Sequence, residues 1–121
     1  MDLRQQTGRR GEALAQAYLE RKGWSIIETN WRSRIGELDI VAVIPDEPYL
    51  VIVEVRTKRS KSFGTAAESI NYRKQQKVRR LGLQYAQQVG KLHRPLRFDV
   101  ITVYLPPDNK KPKITHIPAA F

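Results

Sequence analysis

Two carboxylates sit in stretches that are otherwise apolar: Asp39 within LDIVAV and Glu54 within VIVEV. Aspartate is depleted in strands, and an unpaired acid is almost never fully buried. Side chains alternate along a strand. That puts Glu37 and Asp39 on one face of their segment, and Glu54, Arg56 and Lys58 on one face of the next. If the two segments pair as a hairpin, Asp39 and Glu54 approach to about 5 Å. Two negative charges at that separation repel by about 3 kcal/mol at an effective dielectric of about 20. Protonation, a basic partner or a cation must relieve the repulsion. A hard divalent ion such as Mg2+ (or Mn2+) takes oxygen ligands, keeps waters and binds phosphate, and beside a basic groove it activates a water against a phosphodiester. The competing explanation is a plain ion-pair network in which Arg56 neutralises both acids without metal.

A basic run leads away from these acids: Arg56, Lys58, Arg59 and Lys61, then Arg73, Lys74, Lys77, Arg79 and Arg80. It has the character of a phosphate-backbone contact surface, against the alternative of a solvated face. Gln75 lies within it, placed to meet the site or a phosphate or simply to face solvent, and Tyr72 and Phe63 could stack on bases. The whole chain carries 22 Lys plus Arg against 12 Asp plus Glu, a formal charge of +10. Such a surface attracts polyanions, nucleic acid first and anionic membranes second. The chain has no cysteine, which excludes disulfides, thiolate metal sites and Cys nucleophiles and agrees with a reducing cytoplasm. MDLRQQTGRRGE is not followed by an apolar stretch, so it does not read as a signal peptide, and no run approaches the ~20 apolar residues of a membrane span. The expectation is a soluble cytoplasmic protein with no membrane partner.

The elements that must position these residues follow from periodicity and breakers. Residues 7–23 read as a helix with Thr7 as N-cap and Gly23 at its end. Residues 24–31, 35–44 and 49–58 read as strands, the last two forming a hairpin broken by PDEP, and LVIVEV suits a central strand covered on both sides. After a loop over 59–70, Asn71 caps a helix through Val89, ended by Gly90, whose apolar stripe is Val78, Leu81, Tyr85 and Val89. Residues 97–105 form a fourth strand and 113–117 a short edge strand. The order αβββαββ implies an α/β fold, a single domain over 1–121 with a mixed β-sheet flanked by helices. Its core spans about residues 8–105, and 106–121 form a C-terminal extension.

GELDIVAV, then VEVRTKRSKSFG, then a basic helix holding RKQ, then RFDV, resembles the YraN family, from about Gly8 to Tyr104. That family belongs to the restriction-endonuclease-like, or PD-(D/E)xK, nuclease superfamily. The resemblance implies a restriction-endonuclease-like mixed sheet with helices on both faces. It implies Asp39 and Glu54 as metal ligands, with the Val55 carbonyl offering a third oxygen. Glu12 matches the additional acid many such nucleases place beside the metal. Arg56 stands where the motif has lysine, a departure with consequences. Arginine stays protonated and cannot act as a general base, although it can stabilise a phosphorane dianion. Lys58, two residues on, is then the candidate for the missing role.

The reading is a nucleic-acid-binding protein, a Mg-dependent endonuclease or phosphodiesterase acting on DNA, more than on RNA. A preference for branched or structured DNA, and a homodimer, follow only from similarity to Holliday-junction resolvases. The alternatives are a non-catalytic DNA- or RNA-binding module with a vestigial nuclease core and a small accessory subunit. Glu37 is expected as a rim carboxylate and Asp99 as the partner of a nearby Arg or Lys, while His93 and His116 read as surface residues.

Overall fold

Helix-forming residues begin well before Thr7, and the first helix follows them. In the computed structural model, which describes residues 2–60 and 70–121, α1 runs Leu3–Arg21. Asp2, not Thr7, is the N-cap: its Oδ1 accepts from the Gln5 N–H at 2.8 Å. Thr7 lies inside the helix, and its Oγ1 accepts from Arg59 Nε at 2.9 Å instead. At the other end Gly23, at φ +87°, donates to Glu20 O while Trp24 donates to Leu19 O, the double bond that satisfies terminal carbonyls when a glycine turns left-handed.

Five strands form one sheet in the order β1-β2-β3-β4-β5: Ser25–Ser33, Gly36–Val43, Leu50–Lys58, Leu96–Tyr104 and Lys113–Ile117. All neighbours are antiparallel except β3 and β4, which run parallel and are joined through α2, Tyr72–Gln88. Asn71 caps α2 as its type suggests, its side chain accepting from the Lys74 N–H at 2.9 Å. Val78, Leu81 and Tyr85 are buried along the predicted stripe, whereas Val89 is the helix C-cap and partly exposed. The single-domain α/β arrangement of a mixed sheet with a helix on each face is the one expected, and residues 61–69, with Lys61 and Phe63, lie outside the described part.

Leu50 to Glu54 are buried without interruption because β3 is central and covered twice. On one face Val51 and Val53 pack with Ala15 and Leu19 of α1 and with Ile101 and Val103. On the other, Leu50 and Ile52 pack with Val78, Leu81 and Tyr85 of α2 and with Phe98. In β2 the alternation slips at Asp39. Ile40 joins the α1-side cluster and Val41 the α2-side cluster, yet Leu38 also lies on the α2 side, where strict alternation would forbid it.

His116 is not a surface residue. Its side chain is only 4% exposed, and β5 pairs it opposite Ile101. Nε2 lies 2.8 Å from Asp99 Oδ2, and the rings of Tyr18 and Trp24 meet it edge-on at 5.7 and 5.4 Å. Asp99, fully buried, also takes both Arg97 Nε and Nη2 at 2.9 and 2.8 Å and the Ala119 N–H at 3.0 Å. Burial opposes its charge, but the hydrogen bonds from His116, Arg97 and Ala119 outweigh burial and hold its carboxyl below the usual range.

α1 approaches β3 closely at Gly11, where a Cβ would collide with the Thr57 side chain. Glycine inside a helix is unfavourable, and here close packing explains it. Gly11→Ala is expected to lower the unfolding free energy by about 1–3 kcal/mol in urea denaturation, with part of the loss recovered by adding Thr57→Ala.

Candidate active site

The β2–β3 ladder stops at the pair Ile40–Val53. Asp39 and Glu54 are the next residues on either side of that open end, and their side chains take over the hydrogen bonding. Val55 N–H donates to Asp39 Oδ2 at 2.8 Å, and Asp39 N–H donates to Glu54 Oε2 at 3.3 Å. Each strand's main chain thus holds the other strand's carboxylate. Glu54 is 3% exposed and Asp39 half-buried.

Two further acids border the pair. α1 brings Glu12 and β2 brings Glu37, and Asn30 bridges them. With its amide turned so that the NH2 faces the carboxylates, Asn30 donates to Glu37 Oε1 at 2.9 Å and to Glu12 Oε2 at 3.1 Å. Asn30 sits in β1 at φ +51°, a conformation that asparagine tolerates better than most residues. Glu37 is no isolated rim group: it joins the acidic cluster while also pairing with the exposed Arg32 at 3.1 Å. Among the described residues no three His, Asp or Glu side chains converge closely enough to cage an ion, so the candidate ligand set is a carboxylate pair.

Burial and mutual repulsion dominate the electrostatics. Burial, then the charge of Asp39, push Glu54 up to about 8 against the pull of Lys74. Burial also raises Asp39, opposed by the Val55 N–H and by the charges of Lys74 and Arg56. Glu12 is pushed up to about 7 by burial first and by Asp39 and Glu37 next, with Arg9 pulling the other way.

The cation beside the pair comes from α2. Lys74 Nζ lies 3.7 Å from Glu54 Oε1. Arg56 is exposed and reaches Asp39 only through its field, and Lys58 lines a cavity on the α1 side together with Glu12 and Arg59. Arg73, Lys77 and Arg80 are exposed on α2, with Lys77 meeting the β1–β2 turn beside Arg32 and Arg34. Gln75 Nε2 donates to Ile70 O at 3.0 Å and ties down the start of α2. The sequence reading missed Asn30 and the placement of Lys74. Asparagine inside a strand was a detectable anomaly, whereas the reach of Lys74 depends on how α2 crosses the sheet.

The model of the family described as "Uncharacterised protein family UPF0102" matches residues 11–103. The chain belongs to the UPF0102 family. This is the family of the YraN proteins that the sequence resembles. A UPF0102 protein of Alkaliphilus oremlandii is 44% identical over 121 residues, covering 98% of this chain and all of the relative. One from Thermodesulfovibrio yellowstonii is 45% identical over 94% of both chains, and one from Rhodococcus opacus is 39% identical over the same shares. Among the described residues no helix is long and apolar enough to cross a membrane.

Carboxyls whose folded-state pKa lies above the ordinary 4.5 favour the fold while protonated. Their contribution is full below that value and is lost as pH rises through about 7 for Glu12 and about 8 for Glu54. In chelator, the unfolding free energy is therefore expected to be lower at about pH 9 than at about pH 5, and Glu54→Gln should shrink that difference. Denaturant titrations at the two pH values check both outcomes.

Proposed function

We propose that the chain is a divalent-metal-dependent endonuclease acting on DNA at the Asp39–Glu54 end of the sheet. One observation carries this reading: two carboxylates from neighbouring strands oppose each other at the open end of a ladder, in surroundings that resist their charge. A hard cation such as Mg2+ or Mn2+ needs only one or two carboxylates when waters and a substrate phosphate complete its shell, so the lack of a third close acid does not count against it. Backbone N–H groups engage Asp39 Oδ2 and Glu54 Oε2, so the oxygens that would meet an ion are Asp39 Oδ1 and Glu54 Oε1, the latter beside Lys74 Nζ. When bound, the ion would polarise a phosphodiester and acidify a water.

The protein's own groups supply the rest. Lys74 stands beside Glu54 where an ammonium can meet a phosphate oxygen or orient the water, the part that Arg56 as an obligate cation cannot fully play. Arg56 contributes positive charge where phosphorane charge develops. Glu12, with its carboxyl near neutrality, is suited to exchange a proton with the attacking water. Arg73, Lys77 and Arg80 on exposed α2, within a chain of formal charge +10, favour the phosphate backbone. The restriction-endonuclease-like resemblance agrees with this assignment of roles.

A second reading has its own support. The Lys74–Glu54 contact could serve as a closed ion pair in a module that binds nucleic acid without cutting it. Cleavage assays with plasmid and branched DNA in Mg2+ or Mn2+ separate the two. Under the nuclease reading Asp39→Asn or Glu54→Gln lowers the rate by about 10^3-fold or more, Lys74→Ala by about 10^2-fold, and Lys58→Ala by under about tenfold. Metal-independent cleavage that survives both acid substitutions ends the nuclease reading. An uncleaved substrate, with no Mn2+ uptake in calorimetry, selects the binding module.

A further inference from the structure

α1 contains two glycines, Gly8 and Gly11, and only Gly11 has a packing reason. Gly11 must be small because Thr57 is against it, whereas a side chain on Gly8 would meet nothing within 4 Å. Glycine inside a helix is unfavourable, and no neighbouring atom requires one at Gly8. Gly8 lines a cavity of about 410 Å3 between the first turns of α1 and the end of β3. Its apolar surface comes from Leu3, which is 65% exposed, and from Val55. Arg4, Lys58 and Arg59 supply the charge, and Arg59 is fixed by its bond to Thr7. Glu12 lies in the same lining, and Val55 is shared with the acid pair, its N–H held by Asp39.

We infer that this cavity is a nucleotide subsite that receives one unstacked base and sugar of a DNA strand beside the phosphate held at Asp39 and Glu54. The volume lies within the ~300–1,000 Å3 range of small-molecule sites. An apolar wall suits a base, guanidinium planes stack on its face, and the cations meet the phosphates on either side. A recess between helix and sheet excludes a base still stacked in a duplex, so the subsite selects single-stranded or locally unpaired DNA. The inference rests on the nuclease reading for its orientation, but its test does not need cleavage.

The test is fluorescence anisotropy of the full chain in chelator, with one oligodeoxynucleotide presented as single strand and as blunt duplex. Wild type should bind the single strand more tightly. Gly8→Leu, which fills the cavity from open space, should weaken single-strand binding at least tenfold and duplex binding less than twofold. Gly8→Ala should bind like wild type, and both variants should melt no lower than wild type. Leu3→Asp, at the exposed rim, should repeat the selective loss should Gly8→Leu fold poorly. Unchanged single-strand binding in Gly8→Leu and Leu3→Asp, or equal losses on both substrates, overturns the subsite. Selective loss supports it even if wild type cuts no DNA, whereas cleavage with unaltered binding removes the subsite and leaves the nuclease.

Discussion

Two carboxyls are pressed together where β2 and β3 stop pairing, and burial and their mutual repulsion make it costly to charge both. Strands that continued their ladder past Ile40 and Val53 would have spent the Val55 and Asp39 N–H groups on carbonyls. Those donors are instead given to carboxylates, which favours the ionised forms, although not enough to offset burial. Lys74 arrives from the α2 face and Glu12 from the α1 helix, so the sheet end is served by both helical layers. A β3 buried on both faces from Leu50 to Val53 is the rigid base that can hold such a conflict in place.

The same domain contains a second buried acid, and the contrast between the two is informative. Asp99 receives two bonds from Arg97, one from His116 and one from the Ala119 N–H, and its carboxyl falls below the usual range. That acid is satisfied, and a structural role accounts for it. Asp39 and Glu54 receive one backbone N–H each, Lys74 Nζ stands 3.7 Å from Glu54 and acts on Asp39 through its charge, and both acids are raised. Structural networks also perturb titratable groups, so a shift alone does not mark a site. Asp99 shows what a completed network looks like in this fold, and Asp39 and Glu54, both raised, differ from it.

Local pattern made much of this legible. The apolar run of β3, the breakers between β2 and β3, the Asn71 cap and the Lys113–Ile117 edge strand follow from side-chain types and backbone preferences within a few residues. Asp39 and Glu54 stood out because acids rarely occur in apolar strands, and the antiparallel register then brought them together. What failed to read out depended on partners distant in the chain. Thr7 looked like a cap, but its hydroxyl belongs to Arg59, and Asp2 begins the helix earlier. His116 looked exposed because β5 is an edge strand, yet Tyr18, Trp24 and Asp99 close over it. Lys58 shares a strand face with Glu54 by alternation, but it lines the α1-side cavity.

Lys74 shows how a helix can bring an amine to the acid pair where spacing along one strand does not. Lys58 lies four residues along the strand from Glu54, a displacement of about 13 Å that exceeds the reach of one lysine side chain. A helix crossing the same face presents its first turn directly over the strand end, and Asn71 fixes where that turn begins. Gln75 pins the same turn by bonding Ile70 O, leaving Lys74, half-buried, aimed at Glu54. Arg56, a permanent cation on the exposed strand end, and Lys74 on the helix thus bring positive charge to the acid pair from two different elements.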